Sequence, residues 1–324
     1  MRKQKNYSVS NRVNPQNSLN SSLRSQYTLQ AGDFRLSLGR QTKIVGIINL
    51  TPDSFSQDGL LAGKSYATEN AAVLARQFIR DGADILDVGG ESTRPGSTRI
   101  SEKEEIKRIV PAIRILVKKI KIPISVDTYK PSVARAALDC GVSIINNIMG
   151  TKPDTRLLRI VKEYKAAIVL MHIRGTPQTM QKNIRYKNLI GEIIEELRES
   201  MEKCLEMGIK SDRIILDPGI GFGKTVGQNL EIINRLKNFK SLDKPLLIGT
   251  SRKSFIGKIL NKDVASRLMG TAASVVAAVL NGAHIVRVHD VKEIKETIKI
   301  TDAILGYSNP HLRRLGQMRY FENF

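Results

Sequence analysis

The chain has 324 residues and a formal net charge of +21 at pH 7, and 41% of its residues are hydrophobic. That composition suffices for a packed core and excludes wholesale disorder. The sequence contains neither the roughly 18-residue apolar run that spans a bilayer nor a segment that resembles a signal peptide. With Cys140 and Cys204 as its only cysteines, it cannot build a disulfide framework or a four-thiolate zinc site, and we expect a cytoplasmic protein.

The first 32 residues differ in composition from the rest of the chain. They contain no Asp or Glu and many Ser, Asn and Gln, and they show neither helical nor strand periodicity. Such a segment is predicted to be a disordered, mobile basic tail, although a basic, acid-free start also resembles an organellar transit peptide. We predict a second basic tail over residues 309–324, so the folded unit is expected to span residues 33–308.

From Lys43 onward, short β-branched runs alternate with longer stretches of helical period, which is the pattern of a parallel sheet connected by helices. Several helical stretches end at a glycine, where a left-handed cap turns the chain back into a strand. Eight strands are predicted, at 44–50, 85–88, 124–126, 144–146, 168–171, 214–216, 246–249 and 285–288. This order indicates an α/β fold, a (β/α)8 TIM barrel in a single domain, although a doubly wound open sheet has the same local pattern.

Nearly every predicted strand ends in a polar residue or is followed by one, at Asn49, Asp87, Asp127, Asn146, His172, Asp217, Lys253, Arg287 and His289. In barrel enzymes the carboxyl ends of the strands form one rim where reacting groups converge. A single residue of this kind could instead cap the next helix, and Asp87 could merely brace the loop that follows it. Single caps do not account for the whole series, so we predict a ligand site at the rim. Arg287 and His289 share a strand face and are predicted to bind an anion together.

Two polar loops follow the first and second strands, over residues 51–59 and 91–97. Their length and their Gly and Pro content are typical of lids that close over a site. We interpret Arg94 in the second loop as an anion ligand rather than as half of a surface salt bridge. The segment 251–254 is another anion-binding candidate, because it follows the seventh strand at a predicted helix start.

The glycine-rich segment 217–224 resembles a phosphate cradle, but its spacing does not fit the known ones. A P-loop needs glycine where Pro218 stands, and a dinucleotide fingerprint needs glycine at Lys224. The segment is therefore predicted to be a flexible loop that begins with a carboxylate and presents Phe222 as an aromatic wall.

At these positions the sequence closely resembles the dihydropteroate synthase family. The resemblance covers about residues 33–306 and rests on the segments 46–56, 91–97, 125–128, 145–146, 217–224, 251–254 and 287–290. It implies a pterin-binding barrel that joins (7,8-dihydropterin-6-yl)methyl diphosphate to 4-aminobenzoate, giving 7,8-dihydropteroate and pyrophosphate in folate biosynthesis. It also implies competitive inhibition by sulfonamides and a homodimer formed through the last helices.

The resemblance carries functional roles onto matching positions of this chain. The residues expected to hold the pterin are Asp127, Asn146, Met171, Asp217 and Lys253. Those expected to contact the diphosphate are Thr93, Arg287 and His289, with Asn49 as a ligand of Mg²⁺. Those expected to surround 4-aminobenzoate are Phe55, Arg94, Pro95, Phe222 and Ser254. Those expected to act in catalysis are Asp127, Arg94, Lys253, Arg287 and His289. Asn147 departs from the family pattern, in which an aspartate commonly stands there.

Two other functions fit part of the pattern. A pterin-binding methyltransferase domain shares the barrel, but it needs neither a diphosphate clamp nor an aniline pocket, so Arg94, Lys253 and Arg287 count against it. A non-catalytic basic module would use the charge of +21 on nucleic acid, but the chain has no tryptophan and no nucleic-acid motif. We therefore expect small-molecule substrates and no specific nucleic-acid or membrane partner.

Overall fold

The computed structural model describes residues 24–51, 64–93 and 96–307, without the side chains of 64–67. Three predicted site residues, Phe55, Arg94 and Pro95, lie outside this part of the chain, as do most of the first lid loop and the segments 1–23 and 309–324. Of the helices that are described, none combines the length and the apolar character needed to cross a membrane.

Strands and helices alternate along most of the described chain. In chain order the elements are β1 (Tyr27–Ala31), β2 (Phe34–Leu38), β3 (Lys43–Asn49), α1 (Lys64–Asp81), β4 (Ile85–Gly89), α2 (Glu102–Lys119), β5 (Ile124–Asp127), α3 (Pro131–Asp139), β6 (Ile144–Asn147), α4 (Thr155–Glu163), β7 (Ala167–Met171), α5 (Leu189–Glu206), β8 (Ile214–Asp217), α6 (Val226–Asn234), β9 (Leu247–Ile248), α7 (Ser254–Leu260), α8 (Leu268–Leu280), β10 (Ile285–Val288) and α9 (Val291–Ile304). All eight predicted strands are confirmed, as β3 to β10.

These eight strands form one parallel sheet in the order β8-β7-β6-β5-β4-β3-β10-β9. A parallel bridge between Leu216 and Leu246 joins the two ends of the sheet, and the Leu216 amide donates to the Pro245 carbonyl at 3.0 Å. The sheet thus closes on itself. The (β/α)8 barrel is confirmed, and the doubly wound alternative is wrong.

Local sequence signals explain how the helices begin and end. Ser101 caps α2, because its Oγ accepts a hydrogen bond from the Glu104 amide at 3.2 Å. The turn after α3 requires a glycine: Gly141 has a φ of +102°, and a Cβ there would lie 2.9 Å from the Val117 side chain. Signals of this kind place each strand end, and the polar residue that follows it, on the same side of the barrel.

The prediction of a disordered tail is wrong for residues 24–32. β1 and β2 form an antiparallel hairpin, and its Leu29, Ala31 and Leu38 pack on the inward-facing apolar residues at the amino-terminal end of the barrel. Leu29 and Ala31 alternate with polar residues, which is a strand pattern that the polar composition of the segment hides. The folded unit therefore begins before residue 33.

Arg24 ties the start of the hairpin to the last helix. Its side chain is fully buried, and Nη2 donates to Asp302 Oδ1 at 2.8 Å while Nη1 donates to Thr42 Oγ1 at 2.6 Å and to the Ala283 carbonyl at 3.0 Å. The guanidinium carbon also lies 4.7 Å from the centroid of the Tyr307 ring. Breaking such a buried pair is costly, because the remaining charge has no access to water.

Candidate active site

The strand ends of the barrel meet in a charged group, here called the rim cluster, which consists of Asp87, Asp127, Asn146, Asp217, Lys253 and Arg287. Below it the barrel is filled with apolar side chains, Val45, Ile215 and Ile285 among them. The cavity between these side chains and the rim cluster measures only about 10 Å³. A ligand therefore has to bind above the rim cluster, at the carboxyl ends of the strands.

Arg287 on β10 lies at the centre of the rim cluster. Its Nε donates to Asp87 Oδ2 at 2.6 Å and its Nη2 to Asp127 Oδ2 at 2.9 Å. Burial lowers the pKa of Arg287, but the two carboxylates outweigh burial and the net shift is upward. The guanidinium stays charged, and these two bonds leave Nη1 to meet an anion.

Asp87 supports residues of other strands rather than its own loop. It is 1% exposed, and its Oδ2 accepts from Asn146 Nδ2 at 3.1 Å as well as from Arg287. It thereby fixes one predicted pterin ligand and one predicted diphosphate ligand together. Its position at a strand end was the only sequence signal for this role.

Asp127 and Asp217 lie at the ends of β5 and β8. Burial raises the pKa of Asp127 to about 7, which Arg287 opposes. Burial likewise raises the pKa of Asp217 to about 6, which is opposed by the Gly219 amide, 2.7 Å from Asp217 Oδ1. Oδ1 of Asp127 is buried and accepts no hydrogen bond from the described residues. A buried acceptor of this kind is ready for a donor that a ligand supplies.

Lys253 and Phe222 form the opposite side of the site. The Lys253 Nζ lies 4.1 Å from the centroid of the Phe222 ring. Burial lowers the pKa of Lys253 to about 8; Arg287 adds to the fall, and Asp217 opposes it. Phe222 packs in a small apolar cluster with Met171, so the site offers apolar surface for a flat ring beside groups that can bind its polar edge.

His289 contributes as a neutral ring. Burial lowers its pKa to about 3, and Arg287 adds to the fall. The Ser251 Oγ accepts from the His289 amide at 3.2 Å and lies 2.9 Å from Nδ1. A Ser251 hydroxyl that donates to Nδ1 leaves the ring proton on Nε2. The two predicted anion ligands therefore differ: Arg287 supplies charge, and His289 supplies an N–H.

Asn49 at the end of β3 is the residue that the family resemblance assigns to Mg²⁺. Its Oδ1 and the Asp127 Cβ both lie near Gly89, at 3.7 Å and 3.6 Å from where a Cβ of that residue would stand, so two oxygen-bearing side chains neighbour each other there. Within the described residues, no group of three His, Cys, Asp or Glu could hold a metal. Mg²⁺ commonly takes one or two protein oxygens and completes its shell with phosphate and water.

The remaining predicted residues lie at the edge of the site. Thr93 follows β4 and is half-buried, and Ser254 is the exposed first residue of α7. Within the described part of the chain, no hydrogen bond joins either of them to the rim cluster. Asn147 is buried, and its Oδ1 accepts from the Met149 amide at 3.0 Å. It holds its own loop rather than adding charge to the site.

The prediction of a flexible loop over 217–224 is wrong. The Gly221 amide donates to Asn229 Oδ1 at 2.7 Å, and the Gly223 carbonyl accepts from the Tyr186 hydroxyl at 2.9 Å. Lys224 turns inward and donates to the Phe222 carbonyl at 2.9 Å. The sequence reasoning missed Lys224, although a lone cation among glycines is a signal that could have found it.

Comparison with known proteins gives consistent matches. Residues 45–289 match the family of pterin binding enzymes. A dihydropteroate synthase of Clostridium beijerinckii is 45% identical over 278 residues, which are 86% of this chain and 99% of that protein. The solved Yersinia pestis dihydropteroate synthase with a sulfonamide drug has a TM-score of 0.79 at 35% identity and covers 86% of this chain and 99% of its own. The Xanthomonas albilineans enzyme with 4-aminobenzoic acid has a TM-score of 0.79 at 33% identity, with coverages of 86% and 98%.

Proposed function

The chain belongs to the dihydropteroate synthase family of pterin-binding enzymes, which are transferases, and we propose that the rim cluster is where (7,8-dihydropterin-6-yl)methyl diphosphate reacts with 4-aminobenzoate. The observation that carries this placement is the unused buried acceptor of Asp127 beside the charged Arg287. The Xanthomonas albilineans and Yersinia pestis relatives, described with 4-aminobenzoic acid and with a sulfonamide, support the same ligands here. Neither the methyltransferase nor the basic module has comparable support.

The pterin is recognised by its polar edge. A pterin carries a 2-amino-4-oxo edge with several N–H donors, and the Asp217 carboxylate accepts from them more strongly than water does. Asn146 supplies an amide beside it, and Lys253 donates to the pterin oxygen or ring nitrogen. Met171 packs against the ring.

The reaction depends on the departure of the diphosphate. The bond between the methylene carbon and the diphosphate oxygen breaks with its electron pair on oxygen, so that pyrophosphate leaves. The amine lone pair forms the new carbon–nitrogen bond, and the proton that the amine loses passes to solvent water. Arg287 Nη1 and the His289 Nε2–H, with Thr93 at the edge, stabilise the charge that develops on the diphosphate. The Asp127 carboxylate stabilises the positive charge on the pterin methylene. Mg²⁺, held by Asn49 when bound, neutralises diphosphate charge.

The second substrate binds beside Phe222. The Phe222 ring and the Ser254 hydroxyl provide an aromatic wall and a polar contact for 4-aminobenzoate. Phe55, Arg94 and Pro95, which the family resemblance places around the same substrate, complete this part of the proposal. An aryl amine is only weakly basic, so it needs no strong base to act as the nucleophile.

We also propose a homodimer with α8 at its interface. α8 contains no charged residue, and Met269, Ala273, Val276 and Leu280 follow one another at helical spacing on its outer side. Met269 is 75% exposed. Sedimentation of the full chain is expected to give a dimer that Met269→Glu converts to a monomer, and a wild-type monomer contradicts the proposal.

The proposal includes a cytoplasmic location. Cys140 and Cys204 are both free thiols, and the cytosol keeps such thiols reduced. Fractionation of cells that produce the full chain is expected to find it in the cytosolic fraction, and recovery from a membrane or organelle fraction alone contradicts this.

The direct test of the activity is pyrophosphate release from the pterin diphosphate, with and without 4-aminobenzoate. We expect release that depends on both substrates and on Mg²⁺, with dihydropteroate formed in equal amount. Release that is independent of 4-aminobenzoate, or none at all, contradicts the proposed function.

A further inference from the structure

A buried lysine, Lys224, ends the loop that carries Phe222. Lys224 is 3% exposed, and its Nζ lies 2.9 Å from His172 Nδ1, 2.9 Å from the Phe222 carbonyl and 3.5 Å from the His172 carbonyl. An ammonium has three N–H donors and no acceptor. Burial lowers the pKa of Lys224 to about 7, which Asp217 opposes. The protonated amine has enough donors for these three acceptors, which belong to two segments of the chain.

His172 connects this lysine to the surface helix α5. Burial lowers the pKa of His172 to about 4, and Lys224 adds to the fall, so the ring is neutral and accepts at Nδ1. Its Nε2 lies 3.4 Å from Glu196 Oε2, a long contact. Glu196 Oε1 in turn accepts from Arg174 Nη2 at 2.9 Å. Lys224 is thus hydrogen-bonded to His172, and Glu196 lies next to His172 without a hydrogen bond to its ring. We call these three residues the loop anchor.

Other hydrogen bonds hold the loop at the Gly221 amide, the Gly221 carbonyl and the Gly223 carbonyl, but none of them binds the Phe222 carbonyl. The loop contains three glycines, at 219, 221 and 223, and glycine restricts the backbone least. Gly219 must approach the end of β7 closely, because a Cβ there would lie 1.9 Å from the His172 carbonyl oxygen. The hydrogen bond from Lys224 to the Phe222 carbonyl therefore sets the orientation of the peptide that carries the Phe222 ring.

We propose that Lys224 is a positioning residue for the aryl amine: by binding the Phe222 carbonyl and His172, it holds the Phe222 ring against Lys253. This inference rests on the proposed function, in which Phe222 borders 4-aminobenzoate. Asp217 depends less on Lys224 for its position, because its backbone belongs to β8 and its carboxylate accepts from the Gly219 amide. The charge of Lys224 only adds to the groups that lower the pKa of Asp217. Loss of the loop anchor is therefore expected to weaken binding of 4-aminobenzoate more than binding of the pterin diphosphate.

The test compares two substitutions of the same side chain. Lys224→Met keeps the length and removes every donor, whereas Lys224→Gln keeps two N–H donors and removes the charge. We expect Lys224→Met to raise KM for 4-aminobenzoate by at least about 10-fold and KM for the pterin diphosphate by less than about 3-fold. Lys224→Gln is expected to recover most of that loss, because the anchor acts through hydrogen bonds.

Arg24→Met is the matched control, since it removes a buried cation at the other end of the barrel. It is expected to lower the melting temperature without changing either KM. Should Lys224→Met fail to fold, His172→Leu removes one acceptor of the same anchor and is expected to raise KM for 4-aminobenzoate alone, by about 3-fold or more.

The positioning role is overturned if the Lys224 variants raise both KM values equally, if Lys224→Gln and Lys224→Met behave alike, or if KM for 4-aminobenzoate stays at the wild-type value. Each of these KM comparisons requires a wild-type chain that forms dihydropteroate. A wild-type chain that forms no dihydropteroate overturns the proposed function instead, so the two failures are distinguishable.

Discussion

Both ends of the barrel bury carboxylates beside arginine, but only one end leaves oxygens unused. At the amino-terminal end, Asp302 Oδ1 accepts from Arg24 and from the Thr42 hydroxyl, and Oδ2 accepts from the Thr42 amide. At the rim, Asp87 and Asp127 each keep a buried Oδ1 without a partner among the described residues. An unpaired buried acceptor costs about 1–3 kcal/mol. At the first end both oxygens of the carboxylate are paired, and only the Arg24 Nε donor lacks a partner among the described residues. At the second end we expect a ligand to supply the missing donors.

The two ends of the barrel also differ in whether other parts of the described chain cover them. The β1–β2 hairpin seals the amino-terminal end with Leu29 and Leu38, which are 1% and 2% exposed. Nothing comparable covers the rim within the described residues. Two charged groups there have pKa values displaced toward neutrality, to about 7 for Asp127 and about 8 for Lys253. Displaced pKa values of this kind are common where a protein does chemistry.

Among substitutions at the rim, Arg287→Met is expected to have the largest effect. It leaves Asp87 and Asp127 as neighbouring buried carboxylates without their cation, and it removes the donor to the diphosphate. We expect kcat/KM to fall by about 1,000-fold, which corresponds to about 4 kcal/mol. Steady-state kinetics measures the effect. Arg287→Lys keeps the charge but loses the fork geometry, so its kcat/KM is expected to lie between those of the wild type and Arg287→Met. Near-wild-type kinetics in Arg287→Met is incompatible with this account.

Arg24→Met tests the other end. The change leaves the Asp302 carboxylate, which is 8% exposed, without its cationic partner. We therefore expect the free energy of unfolding to fall by about 3 kcal/mol. Deletion of residues 1–32, the segment that the sequence predicts to be a disordered tail, is expected to destabilise the protein for the same reason. Denaturant unfolding measures the loss, and kcat/KM at 25 °C is expected to stay unchanged. A loss of activity in the folded variant would show that the two ends are not independent.

The pH dependence of kcat/KM sharpens the description of the rim. Asp127 and Asp217, with pKa values of about 7 and about 6, must both be ionised, so kcat/KM is expected to fall about 100-fold from pH 7.5 to 5.5. The logarithmic slope approaches 2 in the wild type and 1 in Asp217→Asn. Stability is expected to change with pH in the direction opposite to activity, because both folded pKa values lie above the ordinary 3.8. The stability that the two protonated carboxyls contribute is fully present below pH 3.8 and is lost as pH rises through about 7. Equal slopes in the two proteins contradict the assignment.

The smallest expected effect concerns Ser251. Ser251→Ala removes the hydroxyl beside His289 Nδ1, so the ring can take either tautomer and its Nε2–H is no longer fixed. We expect kcat/KM to fall by about 5-fold, or about 1 kcal/mol. An unchanged kcat/KM indicates that His289 does not need this partner.

Much of the barrel is predictable from the sequence, because its strands are short β-branched runs between helices that end at glycine. The same regularity places Asp127, Asp217 and Arg287 at one rim. The hairpin was missed because Leu29 and Ala31 stand in a segment of polar composition, and its ordering comes from contacts with distant parts of the chain such as Asp302.

The links between the site residues could not be predicted. That Asp87 supports Arg287, 200 positions away, depends on closure of the barrel, which strand spacing does not show. The inward turn of Lys224 depends likewise on His172, a neighbour only in three dimensions. Sequence patterns gave the identities of the polar residues at the rim, whereas their pairings required the fold.

Calorimetric titration of the pterin diphosphate with Mg²⁺, in the absence of 4-aminobenzoate, tests most directly whether the rim is the end that a ligand completes. We predict one site per chain in the wild type and unchanged affinity in Arg24→Met. Asp217→Asn is predicted to bind about 30- to 150-fold more weakly, or about 2–3 kcal/mol, while its melting temperature without ligand does not fall. Equal affinity in the wild type and in a well-folded Asp217→Asn protein contradicts the account.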